Sequence, residues 1–176
     1  MGRFLLVGEV DRSERNSIKY PLGCFIVLLD DVRSLNNIGS VFRTCDAMGI
    51  KKMYLCGITG QPPHREIRKT AIGASESVDW EHKKNAPEIL TKYRGLGYKI
   101  IAVEQTSNSQ SLENYQLKNN KILLIFGNEI TGVSQKLIDL CDLSLEIPQW
   151  GTKHSMNISV SVGIVLWNLK KIFLLK

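Results

Sequence analysis

The chain has few of the features that would assign its chemistry at once. Its four cysteines, Cys24, Cys45, Cys56 and Cys141, form no CxxC pair, and no histidine stands at ligand spacing from them. That excludes the usual zinc arrangements and leaves small buried thiols of a reducing compartment, so no metal is expected. The N-terminal apolar run is too short for a signal peptide. The most apolar stretch, at the C-terminus, is interrupted by Asn157, three serines, Gly163 and Asn168, so it reads as buried in protein, not as a membrane span. A cytoplasmic protein with no membrane partner is the expectation. No GxGxxG fingerprint follows the first apolar run, and no GxxxxGK[ST] phosphate loop occurs. His64 and His82 lie in basic segments, so only His154 is near a candidate site and no Ser–His–Asp arrangement suggests itself. No carboxylate pair stands out for glycoside chemistry. Internal repeats, low-complexity runs and linkers are also missing.

What is present is an ordinary globular composition. The 176 residues are 43% hydrophobic and 23% charged, enough for one domain with a sizeable core. Residues 1–23 read as an N-terminal arm and the whole of 1–176 as a single domain. The net charge of +6 suits a polyanion such as nucleic acid without requiring one.

Cys24 to Leu29 is a continuous apolar run, the pattern of a strand buried on both faces. Ile38, Val41, Phe42, Cys45 and Met48 then follow helical spacing, with Asn37 at the N-cap position and Gly49 closing the helix. A second strand, Met53 to Cys56, completes a βαβ unit and predicts a parallel sheet in an α/β fold. Beyond a glycine-punctuated connection with a basic helical piece at His64–Lys69, Ser77–Glu81 reads as a short edge strand. Ala86–Arg94 reads as a helix, Tyr98–Val103 as a strand and Glu104–Asn114 as a polar loop. Lys121–Phe126 is the strongest strand pattern, followed by a short helix at Ser134–Leu140 and a last strand at Leu143–Ile147. The segment after Ser155 alternates like a strand but also carries a helical stripe, and its length favours helix, with Ser155 as N-cap.

Three polar loops follow strand ends: Asn36–Asn37, Gly127–Gly132 and Pro148–Ser155. Open parallel sheets bind ligands outside the carboxyl ends of their strands, so these loops are expected to share one edge. The chemically capable residues there are Asn37, Arg43, Glu129, Ser155 and Asn157, each with a bland alternative as a cap or a solvated side chain.

The strings around these residues carry a resemblance. Asn37-Ile-Gly-Ser-Val-Phe-Arg43, Phe126-Gly-Asn-Glu129 with Gly132, and Ile147-Pro148 with Ser155-Met-Asn157 occur in the order and at the intervals of the SpoU (TrmH-type) branch of the SPOUT methyltransferases. Lys69 to Glu76 is similar too, so the likeness spans about residues 24–169. It implies a deep C-terminal trefoil knot, which neither periodicity nor topology rules predict. It also implies a homodimer, S-adenosylmethionine as methyl donor, and a ribose 2′-hydroxyl of tRNA or rRNA as acceptor. By this resemblance the cofactor lies against Val103, Gly127, Ile147, Ser155 and Met156. Arg43 is the central catalytic residue, with Asn37, Glu129, Ser155 and Asn157 around it. Whether Arg43 acts as base or as electrostatic stabiliser stays open, because a guanidinium is a poor proton acceptor. Arg65, Arg68 and Lys69, then Arg12, Arg15 and Lys19, are the expected RNA-binding cations. Two departures touch the substrate side: Leu35-Asn36 replaces the usual Pro followed by His or Asn, and Gln149-Trp150 follows Pro148. The competing readings are a base-methylating SPOUT enzyme and a non-catalytic RNA-binding protein of the same fold.

Overall fold

The computed structural model describes residues 24–152 and 155–174. Arg12, Arg15 and Lys19 lie outside the described residues, as does the whole expected arm. Among the described residues one seven-stranded sheet organises the fold. Its strands are β1 (Cys24–Asp30), β2 (Lys52–Cys56), β3 (Trp80–Lys83), β4 (Lys99–Val103), β5 (Gln110–Ser111), β6 (Lys121–Phe126) and β7 (Leu143–Glu146). They run in the order β3-β2-β1-β6-β4-β7-β5, and every pair is parallel. The central pair, β1 and β6, holds the two longest apolar runs, with Phe25 beside Ile122 and Leu29 beside Phe126. Both faces of that pair are covered, which is why these strands show no alternation.

The helices are α1 (Leu35–Ala47), α2 (Arg65–Ala71), α3 (Ala74–Ser77), α4 (Ala86–Gly95), α5 (Gln135–Ile138) and α6 (Ile158–Leu174). One core layer joins the sheet to α1, α2 and α6 through Phe25, Val27, Phe42, Ile67, Val165 and Leu166. The other joins it to α4 and α5 through Ile26, Leu28, Leu90, Leu123 and Leu137. The helical stripe of α1 is buried as its spacing requires, with Ile38, Val41, Phe42 and Cys45 fully inaccessible. α2 crosses α1 at Gly39, where a Cβ would come within 2.0 Å of Thr70 Oγ1 and 2.4 Å of the Ile67 carbonyl oxygen. Only glycine permits that approach.

Four local expectations change. Ser34, not Asn37, caps α1: its Oγ accepts the Asn37 N–H at 3.3 Å, and the helix begins two residues before Asn37. α6 is a helix, but Asn157 rather than Ser155 caps it. Its Oδ1 accepts the Ser159 N–H at 2.9 Å, and its carbonyl accepts those of Val160 and Ser161. Ser77 ends α3, and the edge strand starts at Trp80, because Ala74 and Val78 are drawn into the core below α1. The 104–114 loop contains β5 and a 3-10 turn at Leu112–Asn114, since β7 offers a free edge to pair with. The four cysteines are free thiols, two of them buried.

Candidate active site

The three polar loops meet at the carboxyl edge of the sheet, as the parallel topology demands. The loop after β6 is built around Asn128. Its backbone exchanges two hydrogen bonds of 3.0 Å with Gly132, and its Oδ1 accepts the N–H groups of Ile130 at 2.8 Å and Thr131 at 3.1 Å. Its Nδ2 donates to the Asp31 carbonyl at 2.7 Å, tying this loop to the one after β1. The loop closes so tightly that a Cβ on Gly127 would stand 2.1 Å from both Gly132 C and Val133 N. Both obstacles are backbone, so no side chain fits there.

Glu129 then bridges back to the start of α1. Its Oε2 accepts the Arg33 N–H at 3.1 Å, and its Oε1 accepts the Ser34 N–H at 3.0 Å and Asn37 Nδ2 at 3.2 Å. Asn37 Oδ1 in turn accepts from Asn157 Nδ2 at 3.1 Å. One chain of hydrogen bonds therefore runs Glu129–Asn37–Asn157 and links all three loops through residues up to 120 positions apart. Partial burial works to raise the Glu129 pKa. The hydrogen bonds donated by the backbone of Arg33, of Glu129 itself and of Ser34, and by the Asn37 side chain, outweigh it and hold the carboxyl below its ordinary value. An anion so stabilised is a weak proton acceptor and a good orienter.

Beside this chain lies a cleft of about 310 Å³. Val103, Gly127, Ile147, Ser155 and Met156, the five residues expected at a cofactor, all line it, together with Glu129. Its size falls in the range of small-molecule sites. The glycine at the other end of this loop is just as confined, since a Cβ on Gly132 would stand 2.2 Å from Glu104 Oε2, so both glycines serve the close packing of the loop that borders the cleft. Arg43 is placed differently. It is exposed on α1, six residues and roughly 9 Å along the helix from Asn37, and it does not line the cleft. Arg65, Arg68 and Lys69 are exposed on α2. No group of acidic, cysteine or histidine side chains suited to a metal ion occurs among the described residues.

Sequence reasoning overlooked three contributors. Glu104 accepts the N–H groups of Val133 at 2.9 Å and Gln105 at 3.0 Å and borders the cleft. Asn128 shapes the second loop, and Ser34 fixes the start of α1. Glu104 follows the carboxyl end of β4, so the strand-end rule that found the other loops also points to it.

A parallel α/β sheet with a small-molecule cleft at its carboxyl edge, closed by a glycine-bounded loop, defines the class. The chain matches the model of the SpoU rRNA Methylase family over residues 24–167 and belongs to that family. It is 31% identical over 142 residues to the tRNA (guanosine(18)-2′-O)-methyltransferase of Borreliella burgdorferi, covering 81% of this chain and 64% of that one. It is 30% identical over 151 residues to a 23S rRNA (guanosine-2′-O-)-methyltransferase of Neisseria meningitidis, covering 86% of this chain and 60% of the relative. The chain thus spans less than two thirds of the length of these two relatives. Among solved structures it resembles the A. aeolicus TrmH/SpoU tRNA modifying enzyme, with a TM-score of 0.77 and 26% identity over 85% of this chain and 75% of that one. It also resembles the AdoMet-bound rRNA methyltransferase of Sinorhizobium meliloti, with a TM-score of 0.79 and 27% identity over 85% of this chain and 56% of the other.

Proposed function

We propose that this protein transfers a methyl group from S-adenosylmethionine to a ribose 2′-hydroxyl of tRNA or rRNA. The observation that carries the reading is the Glu129–Asn37–Asn157 hydrogen-bond chain beside a cleft lined by the five residues expected at the cofactor. The names of the relatives support it. When bound, the cofactor supplies an already activated methyl group, so the protein's task is to hold and orient. Val103, Gly127, Ile147, Ser155 and Met156 would hold it. Glu129 keeps the first two loops in register and leaves Asn157 aimed at Asn37.

Arg43 is exposed and has no hydrogen bond or ion pair among the described residues. A permanently charged, unpaired guanidinium suits an RNA phosphate and the negative charge that grows on the ribose oxygen. We assign it that stabilising role, with Arg65, Arg68 and Lys69 extending the phosphate-binding face. Measurement of labelled methyl transfer to bulk RNA, followed by nuclease digestion and mass spectrometry, tests the reaction. Arg43→Ala is expected to abolish transfer with cofactor affinity intact. Near wild-type transfer by that variant would overturn the assignment. A base-methylated nucleoside would support the alternative enzyme, and no transfer with salt-sensitive RNA binding would support the non-catalytic reading.

The reading includes a homodimer and the knotted C-terminal path of the family. α6 leaves Val160, Ile164 and Trp167 at 48%, 36% and 63% exposure, near a loop whose Trp150 is 88% exposed. Apolar surface of this extent suits a second copy. Light scattering of the purified protein, with Trp167→Glu as the disrupting variant, tests the dimer. No helix among the described residues is long and apolar enough to cross a membrane. The free thiols fit a cytoplasmic setting.

A further inference from the structure

Alongside α1, apart from the cleft, a second concavity of about 160 Å³ is walled by Pro62, Pro63, His64, Arg68, Glu76 and Trp80. We infer that it receives a guanine base of the bound RNA, one that neighbours the nucleotide approached by Arg43. The inference rests on the RNA-methylating reading for its biological ligand, but the pocket itself can be tested without that reaction.

The space equals that of about five water molecules, which suits a single nucleobase. Its apolar walls are rings. Trp80 is held in place, since its Nε1–H donates to the Ser75 carbonyl at 3.2 Å and its ring meets Phe42 edge-on with centroids 6.2 Å apart. Aromatic walls are how proteins hold unstacked RNA bases.

The polar groups narrow the choice. Arg68 and Glu76 border the same small cavity, yet neither side chain has a hydrogen bond or an ion pair among the described residues. An unpaired guanidinium alone would suit a phosphate. An unpaired carboxylate beside it repels a phosphate and calls for N–H donors. Of the four RNA bases only guanine presents two adjacent N–H groups, N1–H and the 2-amino group, next to a carbonyl oxygen on its Watson–Crick edge. A carboxylate accepts the first two and a guanidinium donates to the third. His64 adds a further donor: its Nδ1 accepts the Glu66 N–H at 3.2 Å, so in the neutral ring the hydrogen is on Nε2.

The location ties the pocket to the reaction. Phe42, which supports Trp80, directly precedes Arg43. Ser77, next to Glu76, donates to Asp46 Oδ1 on the same helix at 2.7 Å. The pocket is therefore fastened to the stretch of α1 that carries Arg43.

The test is a titration of the ¹⁵N-labelled full chain with GMP, IMP and AMP, following the indole N–H signal of Trp80. Trp150→Phe and Trp167→Phe, both at exposed positions, assign that signal by elimination. GMP is expected to shift it saturably and to bind at least about tenfold more tightly than IMP, which lacks the 2-amino group, or AMP. Glu76→Gln is expected to erase the GMP preference and to lower kcat/KM for RNA while leaving cofactor affinity unchanged. An unmoved Trp80 signal, equal affinities for the three nucleotides, or a GMP preference that survives Glu76→Gln would each overturn the inference. A GMP preference in a protein that transfers no methyl group would leave the pocket standing and refute the reaction. Methyl transfer without a Trp80 response would do the reverse.

Discussion

Replacing Glu129 with alanine removes the acceptor for three N–H donors, two of them backbone groups at the entry to α1. A hydrogen bond to a charged group contributes about 1.5–3 kcal/mol where buried. Glu129 is largely exposed, so water replaces much of that, and a total loss of about 1–2 kcal/mol is the reasonable magnitude. For a domain of this size that lowers Tm by roughly 2–8 °C. The sign with pH follows from linkage. The folded-state pKa is below the ordinary 4.5, so the stabilisation is present above that value and is lost as pH falls through the lower, folded-state pKa. Differential scanning calorimetry of wild type, Glu129→Gln and Glu129→Ala at neutral pH and in acid reads both effects. Glu129→Gln keeps one acceptor oxygen without the charge and should fall between the other two. Cofactor titration on the same samples should show weaker binding for Glu129→Ala, because the loops that border the cleft lose their common tie. An unchanged Tm and unchanged cofactor affinity in Glu129→Ala would refute the claim that this carboxylate ties the loop after β6 to the start of α1.

Other substitutions probe separate links. Gly127→Ala drives a methyl group into the Gly132–Val133 backbone, so cofactor binding should be lost with a fall in stability of about 2–4 kcal/mol, read by denaturant unfolding and calorimetric titration. Asn157→Asp keeps the acceptor that caps α6 but removes the amide that donates to Asn37. It should retain most of the stability and lose activity, whereas Asn157→Ala should lose about 1 kcal/mol as well, seen by thermal melts beside a transfer assay. Lys170 is buried with an ammonium that has no hydrogen-bond partner among the described residues, over the Phe25 ring at 4.9 Å. Burial lowers its pKa despite the opposing effect of Cys24. Stability should therefore rise with pH between the lowered folded pKa and the ordinary 10.5, and Lys170→Met should raise Tm at neutral pH by a few degrees, on the order of 1 kcal/mol.

The wider architecture was legible because it rests on local patterns. Continuous apolar runs at Cys24–Leu29 and Lys121–Phe126 mark strands buried on both faces, and strand–helix alternation forces parallel pairing. That pairing in turn sends the three polar loops to one edge. The caps were less legible. Asn37 and Ser155 each have the right side chain for a cap, but Ser34 and Asn157 have the same chemistry, and local sequence cannot rank them. What ranked them was distance: Asn37 is needed by Glu129, 92 positions away, and by Asn157, 120 positions away.

Local sequence patterns specify the α/β class, the parallel sheet and the three polar loops that follow its strands, whereas the residues expected at a cofactor came from the family resemblance alone. Side-chain spacing encodes which faces are apolar, and motif order encodes which loops follow which strands. Tertiary structure alone decided how the polar residues divide their work. It joined Glu129, Asn37 and Asn157 into one hydrogen-bonded chain, stood Arg43 apart on an exposed helix position, and left Arg68 and Glu76 without a partner among the described residues at the cavity beside Trp80. Hydrogen-bond partners and cavity walls depend on groups far apart in the chain, and no period or spacing records them.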